Sequence, residues 1–387
     1  MRSFLDLDYY KLTMGQLVFR YFSNNIRVKY QLINRSKDIC LTDYISKQEL
    51  IKEFNQIKKL KINDKEYLYL KELKIFSSDY LEFLKKINLP QITVSDNGKD
   101  YQIEVEGSWS EAIYWETFVL STLIERYCSS FINQQNQSSS HFIKQGQRRL
   151  FEKINKLKKY PGIKLADFGT RRRFNFQWQE QVLKTFKKEL PNQLVGTSNV
   201  KLAEELDLKP VGTFAHEMYM IFYGINRGII SSHKRVLDIW WSEYGQQLST
   251  ALTDNYGSDF FFKNFSKEQA VKWQGLRHDS GDPIEFAEKA INFYKKFKID
   301  PKEKLIVFSD GLNIDLIIKI YNHFNGRIRT LFGWGTDLTN DLGITIPQIV
   351  FKPIEANGQK IAKLTDSLTK ITGDKITVKY FKKNLNF

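Results

Sequence analysis

The chain has 387 residues, of which 42% are hydrophobic and 27% are charged, and this composition excludes an intrinsically disordered protein. Its two cysteines, Cys40 and Cys128, are too few for a disulfide framework, and the sequence has neither the CxxC pairs nor the Cys/His clusters of a structural zinc site. The formal net charge of +15 permits nucleic acid, an acidic membrane surface or phosphorylated metabolites as partners without choosing among them. Many lysines alternate with apolar residues, which indicates that most of this charge is solvated surface.

The N-terminal segment predicts neither a secretory signal nor a membrane anchor. Asp6 and Asp8 interrupt the stretch that would have to be the apolar core of a signal peptide. No apolar run approaches the ~18 residues that a membrane span requires. We therefore expect a cytoplasmic protein in a reducing compartment, with no membrane partner.

The first 118 residues predict a small α+β domain. Helical patterns at residues 48–61 and 79–89 are followed by a strand-like segment, ITVSDNGKDYQIEVEG. The alternating flanks of this segment bracket the turn residues Asn97 and Gly98, which is typical of a β-hairpin.

Residues 119–345 predict a larger domain, built from alternating short apolar strands, polar loops and amphipathic helices. We count about seven or eight strands between residues 160 and 335, among them KPVGT at 209–213. Such alternation is typical of parallel strands with crossover helices, and the count favours an α/β barrel over an open sheet. Residues 346–387 return to irregular α+β patterning, and we expect this C-terminal segment to pack on the N-terminal domain and complete it.

The unusual polar residues of the larger domain lie in the loops that follow its strands. In a β/α barrel these loops meet on one face, where active sites are built. The residues that we expect to line one pocket on this basis are Asp167, Arg171, Ser198, His216, Asp254, Arg277, Asp279, Asp310, Gly333 and Gly335.

The segment RHDSGDP, residues 277–283, combines a cation with a carboxylate. Arg277 and Asp279 lie on the same side of an extended segment, and Ser280 stands at a helix start, which favours anions. Arg277 can hold a phosphate by two parallel bonds while Asp279 accepts from sugar hydroxyls or from magnesium-bound water. A helix N-cap with a surface ion pair is the alternative, but Asp310 in FSDGLN repeats the pattern one strand later and favours a site for a phosphorylated sugar.

Two further loops carry candidate ligand groups. FGWGTD, residues 332–337, offers backbone N–H groups that suit a phosphate, although an ordinary tight turn is the alternative and the bulky Trp334 leaves the phosphate geometry open. DFGTRRRF, residues 167–174, has three adjacent arginines that cannot all face one way, so we expect one or two in a pocket and the rest in surface or partner contacts. Arg171 beside the Phe168 ring suits a flat anionic aromatic ligand, with a solvated basic turn as the alternative.

His216, in GTFAHEMYM, lies one short turn past a strand end. A lone histidine is more often a structural residue than a catalytic one, so its position alone does not give it a role. The sequence has no Ser/His/Asp order, P-loop, dinucleotide-binding glycine motif or HExxH pair, and metal ligands stay unassigned.

Eight motifs together resemble the nicotinate phosphoribosyltransferase family, and they occur in the right order over nearly the whole chain. They are DYYKLTMGQ (8–16), EGSWSEAIYWETFVL (106–120), DFGTRRRF (167–174), GTSNVKLAEEL (196–206), GTFAHEMYM (212–220), RHDSGDP (277–283), FSDGLN (308–313) and FGWGTDLTND (332–341). The resemblance implies a type II phosphoribosyltransferase fold, an irregular α/β barrel with an N-terminal α/β domain, in a homodimer whose active sites lie at the subunit interface. It also implies that nicotinate and 5-phosphoribosyl 1-pyrophosphate react to give nicotinate mononucleotide and pyrophosphate for NAD synthesis, with coupled hydrolysis of ATP and with Mg²⁺.

The resemblance further implies roles for single residues. His216 resembles the histidine that family members phosphorylate from ATP, and a phosphohistidine there can order loops and help to hold magnesium and pyrophosphate. Phe168 and Tyr10, the latter from the partner subunit, resemble the aromatic pair that sandwiches the pyridine ring, so that Arg171 faces the substrate carboxylate. The residues expected to bind the phosphoribosyl and phosphate groups are Arg277, Asp279, Ser280, Asp310, Gly311, Gly333, Gly335 and Thr336, and the expected catalytic residues are His216, Arg277 and Asp279.

Ser198 bears on the choice of substrate. Relatives that use nicotinamide place an aspartate at this position, where its carboxylate accepts from the amide NH₂, whereas a neutral hydroxyl beside three arginines suits a carboxylate substrate. We therefore expect nicotinate, with nicotinamide phosphoribosyltransferase as the main alternative and quinolinate phosphoribosyltransferase as a more distant one. A basic nucleic-acid-binding protein is disfavoured because the recognised modules are missing, and a catalytically inactive family member is disfavoured by the motif residues themselves.

Overall fold

In the computed structural model of the protein, the described residues are 3–22, 25–135, 138–385 and 387. The helices are α1 (Tyr9–Phe22), α2 (Lys47–Ile57), α3 (Asp64–Glu72), α4 (Ser78–Lys86), α5 (Trp109–Ala112), α6 (Trp115–Gln134), α7 (Ser139–Leu157), α8 (Phe176–Glu189), α9 (Val200–Leu206), α10 (His216–Asn226), α11 (Ile229–Tyr244), α12 (Ser258–Asn264), α13 (Lys267–Lys272), α14 (Pro283–Lys296), α15 (Ile314–Phe324), α16 (Thr336–Thr339) and α17 (Lys375–Leu385). The strands are β1 (Arg27–Asn34), β2 (Ile92–Asp96), β3 (Tyr101–Ser108), β4 (Leu165–Asp167), β5 (Leu194–Thr197), β6 (Thr250–Leu252), β7 (Gly275–His278), β8 (Leu305–Phe308), β9 (Arg329–Trp334), β10 (Ile349–Ala356) and β11 (Gln359–Lys360). Within the described ranges, none of the helices has both the length and the apolar character needed to cross a membrane.

The chain divides into two compact units, each assembled from several stretches of sequence. The first unit comprises Met1–Pro161, Ala166–Val211 and Trp334–Lys352, and the second comprises Gly162–Leu165, Gly212–Gly333 and Pro353–Phe387. These units do not follow the predicted segments 1–118, 119–345 and 346–387, which stay a prediction. Residue 118 does not end a unit because α6 is buried over most of its length and packs against the turn at residues 170–172 within the first unit.

An antiparallel sheet forms part of the first unit. β1 pairs with β3, with Arg27 opposite Ser108, and β3 pairs with β2, with Ile92 opposite Val105. The predicted hairpin is therefore confirmed, and Gly98, with φ of +80°, takes the left-handed conformation that glycine adopts without strain. On the other side of β1 lies β10, whose residues up to Lys352 belong to this unit. The packing of residues 346–387 on the N-terminal domain stays a prediction.

Helix α1 is buried on nearly all sides from Tyr9 to Val18, and it carries the residues that follow Asp8 into the core of the first unit. Gly15 marks its closest approach to a pair of tyrosines. The hydroxyls of Tyr80 and Tyr114 lie 2.8 Å apart, and a Cβ atom on residue 15 would lie 2.6 Å from the Tyr80 hydroxyl. Only glycine leaves room for this contact.

Four parallel strands, in the order β6-β7-β8-β9, form the sheet of the second unit. Helices α14 and α15 follow β7 and β8, and each begins after a side chain that caps its first turn, Asp282 and Asn313 respectively. Because the carboxyl ends of parallel strands share one edge of a sheet, the residues that follow these strands come to the same edge. Three of those residues are aspartates: Asp254 after β6, Asp279 after β7 and Asp310 after β8.

Between residues 160 and 335 the structure has six strands, β4 to β9, and the predicted count of seven or eight is wrong. The predicted strand KPVGT makes only an isolated parallel bridge, between Thr197 and Pro210. Because proline has no backbone N–H, it cannot extend a ladder of strand hydrogen bonds.

Candidate active site

His216 is the first residue of α10 and is buried in the second unit. Its Nε2 atom lies 2.8 Å from Asp254 Oδ1 and 3.7 Å from Asp279 Oδ2. The Nζ atom of Lys363 lies 3.4 Å from the same ring nitrogen. We call these four residues the His216 cluster, and they bring one imidazole, two carboxylates and one ammonium group together at the start of a helix.

Two buried hydroxyl groups support Asp254. Ser280 Oγ donates to Asp254 Oδ2 at 2.6 Å, and Thr365 Oγ1 donates to Ser280 Oγ at 2.6 Å. The expected place of Ser280 at a helix start is wrong, because α14 begins at Pro283 and its first turn is capped by the Asp282 carboxylate. An anionic cap leaves that helix end unsuited to a phosphate, and the hydroxyl of Ser280 serves to position Asp254.

Arg277 and Asp279 lie on the same side of the chain and form an ion pair with each other, while their contacts with a phosphorylated sugar stay a prediction. Arg277 Nη2 lies 3.0 Å from Asp279 Oδ1, Nε donates to Ser309 Oγ at 2.9 Å, and Nη1 donates to the backbone oxygen of Phe214 at 3.2 Å. These bonds fix the guanidinium at the carboxyl end of β7. Only 12% of the Arg277 side chain stays exposed, so a ligand can reach it along one edge.

The C-terminal segment brings a further cation to this edge of the sheet. The ammonium group of Lys370 contacts the Asp310 carboxylate and donates to the backbone oxygen of Asp279 at 3.2 Å. Gly311, which follows, is exposed, has φ of +59° and has nothing within 4 Å of an added Cβ. The backbone at Gly311 is therefore open to a ligand group.

The electrostatics of the His216 cluster favour a neutral imidazole between charged carboxylates. Burial lowers the pKa of His216 in spite of the nearby Asp254. Burial alone would raise the pKa of Asp254, but His216, Lys363 and the Ser280 hydroxyl hold it well below its usual range. Burial also opposes ionisation of Asp279, whose pKa is held low chiefly by Arg277 and then by His216. A neutral imidazole that donates from Nε2 to a carboxylate keeps a lone pair on Nδ1, which is the state of a nucleophile.

A second cluster of charged side chains surrounds Arg171 in the first unit. Arg171 Nε lies 3.1 Å from Asp8 Oδ2, and Nη1 lies 3.6 Å from Glu116 Oε1. Glu116 also pairs with Lys11 Nζ at 2.8 Å and with Lys352 Nζ at 2.7 Å. Burial alone would raise the pKa of Glu116, but Lys11, Lys352 and Arg171 together hold it well below its usual range, so this carboxylate is charged. We call these five residues the Arg171 cluster.

The two expected aromatic residues also lie in the first unit. Tyr10 is only 6% exposed, its hydroxyl donates to Glu116 Oε2 at 3.0 Å, and the Arg171 guanidinium lies 5.4 Å from the centre of its ring. Phe168 is half-buried in the loop after β4. Tyr10 thus contacts Arg171 of its own chain, and a contribution of Tyr10 to a partner's site stays a prediction.

Ser198 and Asp167 are used inside the protein. Ser198 is buried and donates to Asp8 Oδ1 at 2.6 Å, so its hydroxyl positions the carboxylate that faces Arg171. This bond does not support the expected contact of Ser198 with a ligand. Asp167 is fully buried, where it accepts from Gln179 and Thr197, each at 2.7 Å, and burial raises the pKa of its carboxyl. It holds the loop after β4 and does not line a pocket.

The expectation that the remaining arginines of DFGTRRRF face the surface or a partner is wrong for Arg173. Its guanidinium is buried and donates to both oxygens of Asp6, at 2.6 and 2.7 Å, and to Glu125 Oε1 at 2.6 Å. These two carboxylates come from distant parts of the same chain, so the local sequence pattern around Arg173 does not reveal them.

Trp334 does not obstruct the glycine loop, because its ring is buried in the first unit. The indole N–H donates to Asp337 Oδ2 at 3.1 Å, and Lys153 Nζ lies 5.4 Å from the ring centre. Gly335 and Thr336 are half-buried at the start of α16, which has only four residues. A phosphate contact of this loop stays a prediction.

Two family models together match most of the chain. Residues 5–124 match the nicotinate phosphoribosyltransferase (NAPRTase) N-terminal domain, and residues 163–387 match the nicotinate phosphoribosyltransferase (NAPRTase) family. The nicotinate phosphoribosyltransferase of Acinetobacter baylyi is 38% identical, with 97% of this chain and 94% of the relative covered. The chain belongs to the nicotinate phosphoribosyltransferase family. Its substrates are therefore nicotinate and 5-phosphoribosyl 1-pyrophosphate, and its product serves NAD biosynthesis.

Solved structures of nicotinate phosphoribosyltransferases agree with this assignment. The enzyme from Porphyromonas gingivalis superimposes with a TM-score of 0.92 at 30% identity, with 100% of both chains covered. The enzyme from Vibrio cholerae gives a TM-score of 0.90 at 31% identity, with 100% of this chain and 94% of that chain covered. The predicted type II phosphoribosyltransferase fold is confirmed.

The metal that the family resemblance implies, Mg²⁺, is a poor fit to the His216 cluster. Donor atoms of His216, Asp254 and Asp279 lie within 4.8 Å of one another among the described residues. However, the Lys363 ammonium group beside them repels a dication, and Mg²⁺ prefers oxygen ligands to imidazole nitrogen. Within that cluster the Asp279 carboxylate, which is 20% exposed, suits Mg²⁺ best. Asp310, which is 28% exposed, offers a second oxygen ligand once a substrate phosphate draws Lys370 away from it.

Several residues of this phosphoribosyltransferase site have no role predicted from the sequence. The sequence places Asp254 among the pocket residues without a role, and it does not predict a role for Lys363, Thr365 or Lys370. All three belong to KLTDSLTK, residues 363–370, a stretch with few regular elements. The high proportion of lysine and hydroxyl residues in this stretch is a sequence feature that could have predicted a phosphate-binding role, since both are common ligands of phosphate.

Proposed function

We propose that this nicotinate phosphoribosyltransferase couples its reaction to ATP hydrolysis through phosphorylation of His216. The observation that carries the proposal is the buried pair of His216 Nε2 and Asp254 Oδ1, 2.8 Å apart. A carboxylate that accepts from one ring nitrogen holds the imidazole in one tautomer and makes the other nitrogen a better nucleophile. His216 also begins the 11-residue helix α10, whose N-terminus favours the negative charge of a phosphoryl group.

The phosphoryl transfer uses groups of the His216 cluster. The lone pair on Nδ1 of His216 attacks the γ-phosphorus of ATP and an N–P bond forms. The P–O bond to ADP breaks as ADP leaves with its electron pair. Lys363, whose Nζ lies 3.4 Å from Nε2 on the other side of the ring, can offset part of the charge that the phosphoryl group adds to the cluster. Later hydrolysis of the N–P bond restores the imidazole and releases inorganic phosphate.

We propose that the second unit binds 5-phosphoribosyl 1-pyrophosphate at the carboxyl ends of β7 and β8. Arg277 and Asp279 would hold the ribose and its phosphate, and the open backbone at Gly311 would accept the 5-phosphate beside Asp310. Gly333 is buried within β9, so the structure does not support the expected phosphate contact at that residue. The pyridine nitrogen then attacks C1 of the ribose while the C1–O bond to pyrophosphate breaks. No proton has to be removed, so catalysis consists of positioning and electrostatic stabilisation.

The charge of this site supports a requirement for Mg²⁺. The site has three carboxylates and three cations, so little surplus positive charge is left to bind a pyrophosphate. The carboxylates are those of Asp254, Asp279 and Asp310, and the cations are Arg277, Lys363 and Lys370. When bound, Mg²⁺ neutralises and orients phosphate oxygens. We assign Asp279 and Asp310 as the side chains that would hold it, directly or through water.

In the first unit we assign Arg171 to the nicotinate carboxylate and Phe168 to the face of the pyridine ring. Arg171 supports this role because its side chain keeps 29% of its surface exposed while Asp8 and Glu116 fix its direction from the buried side. The contribution of Tyr10 to the ring site of a partner subunit in a homodimer, and the phosphate contacts of Gly335 and Thr336, belong to the same proposal. We also propose that the enzyme works in the cytoplasm.

Transfer of ³²P from γ-labelled ATP to the protein tests the role of His216. We expect label that is lost in acid and retained in base, as a phosphohistidine requires, and no label on His216→Ala. His323→Ala is the matched control, because His323 is an exposed histidine of the same unit that pairs with Glu288 at 2.9 Å. Full labelling and full stimulation by ATP in His216→Ala would contradict the proposal.

A further inference from the structure

Lys352 lies beside Arg171 in the Arg171 cluster, and the roles assigned so far do not use it. Its Nζ atom is 2.7 Å from Glu116 Oε1, the oxygen that Arg171 Nη1 also faces at 3.6 Å. The side chains of Lys352 and Arg171 keep 13% and 29% of their surface exposed, whereas Lys11, Asp8 and Glu116 are at most 1% exposed. The two cations that share Glu116 Oε1 are therefore the members of the cluster that a ligand can reach.

The other oxygen of Glu116 has its own partners. Glu116 Oε2 lies 2.8 Å from Lys11 Nζ and accepts from the Tyr10 hydroxyl at 3.0 Å. Because these buried groups already hold Glu116, Lys352 is not needed to keep its carboxylate in place. The ammonium group of Lys352 is instead directed at the oxygen on the accessible side of the cluster.

The charges of the cluster favour an anionic ligand at this place. Its five side chains provide three cations, Lys11, Arg171 and Lys352, and two carboxylates, Asp8 and Glu116. A ligand with one negative charge balances this set, and a neutral ligand does not.

We propose that Lys352 is a specificity-determining residue, which binds the substrate carboxylate together with Arg171 and so selects nicotinate over nicotinamide. The inference rests on the proposed function, in which Arg171 binds that carboxylate. A carboxylate has two acceptor oxygens and can bridge two neighbouring cations by charge-assisted hydrogen bonds. A carboxamide has only one acceptor oxygen. Its NH₂ group would point N–H donors at the second cation, which also has only donors, and this contact is unfavourable.

The test is the ratio of kcat/KM for nicotinate to kcat/KM for nicotinamide, with the inhibition constant of nicotinamide where its turnover is too slow. Lys352→Gln keeps an N–H group for Glu116 but removes the charge, and we expect it to lower kcat/KM for nicotinate by about 10- to 100-fold. The value for nicotinamide should change less than about threefold, because a neutral ligand gains nothing from the charge. Lys352→Arg should restore most of the preference. Lys360→Gln is the matched control, since Lys360 is an exposed lysine whose Nζ lies 2.7 Å from Glu355.

Arg171→Gln, measured in parallel, separates the inference from the proposed function. If Arg171→Gln lowers kcat/KM for nicotinate while Lys352→Gln leaves the substrate ratio unchanged, the role of Lys352 is refuted and that of Arg171 stands. An equal fall for both substrates in Lys352→Gln would likewise overturn the inference, because it would indicate a purely structural role. If Arg171→Gln leaves nicotinate turnover unchanged, the proposed nicotinate site itself is wrong.

Discussion

Replacement of Arg173 by methionine removes the cation from a buried charge network that ties the N-terminal segment to the loop after β4. In the wild type the guanidinium donates to both oxygens of Asp6, at 2.6 and 2.7 Å, and to Glu125 at 2.6 Å. Methionine has a similar length and no charge. The variant therefore leaves the buried carboxylate of Asp6 without its cation, although the Asn199 amide still donates to it at 2.8 Å.

The expected loss of stability is large, because Asp6 has no access to water. Removing one partner of a buried ion pair costs about 3–5 kcal/mol of unfolding free energy. Burial alone would raise the pKa of Asp6, and the charge and hydrogen bonds of Arg173 hold it low, so the carboxyl should bind a proton more readily in the variant. The double variant Asp6→Asn, Arg173→Met should recover part of the loss, since it no longer buries an unpaired charge.

Urea unfolding at pH 7, followed by circular dichroism and tryptophan fluorescence, measures this effect. Arg148→Met is the control, because Arg148 is 82% exposed and pairs only one helical turn away with Glu152, so its loss should stay within about 0.5 kcal/mol. If Arg173→Met is no less stable than this control, the buried network does not hold the segment in place and the reasoning is refuted.

Two further predictions concern buried residues outside the proposed site. Burial lowers the pKa of His233, which stacks on Tyr219, to about 3. Below pH 6.5 the unfolded chain therefore binds a proton that the folded chain does not, and the free energy of unfolding decreases as the pH is lowered. This term should cost about 2 kcal/mol between pH 7 and pH 5, and His233→Phe should reduce the acid sensitivity of urea unfolding by that amount; equal sensitivity in both proteins would contradict it. Gly15→Ala should destabilise the protein by about 1–3 kcal/mol in spite of the better helix propensity of alanine, because its Cβ meets the hydroxyls of Tyr80 and Tyr114. Thermal unfolding checks this, with Tyr114→Phe as the relieving background, and an increase in Tm would contradict it.

The sequence predicted those parts of the fold that local patterns encode. The hairpin around Gly98 follows from turn chemistry within a few residues. The pairing of Arg277 with Asp279 also follows from local spacing, since both stand at the end of one strand. The convergence of loops after parallel strands accounts for Asp254, which follows β6, but not for His216, because the predicted strand before it forms only an isolated bridge.

The remaining features depend on contacts between distant parts of the chain. The charged run of arginines gives no sign that Arg173 meets the carboxylate of Asp6, 167 residues away in sequence. From the sequence, the Ser198 hydroxyl is predicted to contact a ligand, but in the structure it donates its hydrogen bond to Asp8. Lys352 and Lys363 lie in the C-terminal segment, and no local pattern shows which buried carboxylate or imidazole they reach. Such long-range pairs are set by tertiary packing, which a single sequence does not display.

Formation of mononucleotide by the purified protein tests the central claim most directly. The protein would be incubated with 5-phosphoribosyl 1-pyrophosphate, Mg²⁺ and either nicotinate or nicotinamide, with and without ATP, and the products identified by mass. We expect nicotinate mononucleotide, formed faster when ATP is present, and little or no product from nicotinamide. Product from nicotinamide alone, or a rate with nicotinate that ATP does not change, would contradict an ATP-coupled enzyme built to bind a pyridine carboxylate.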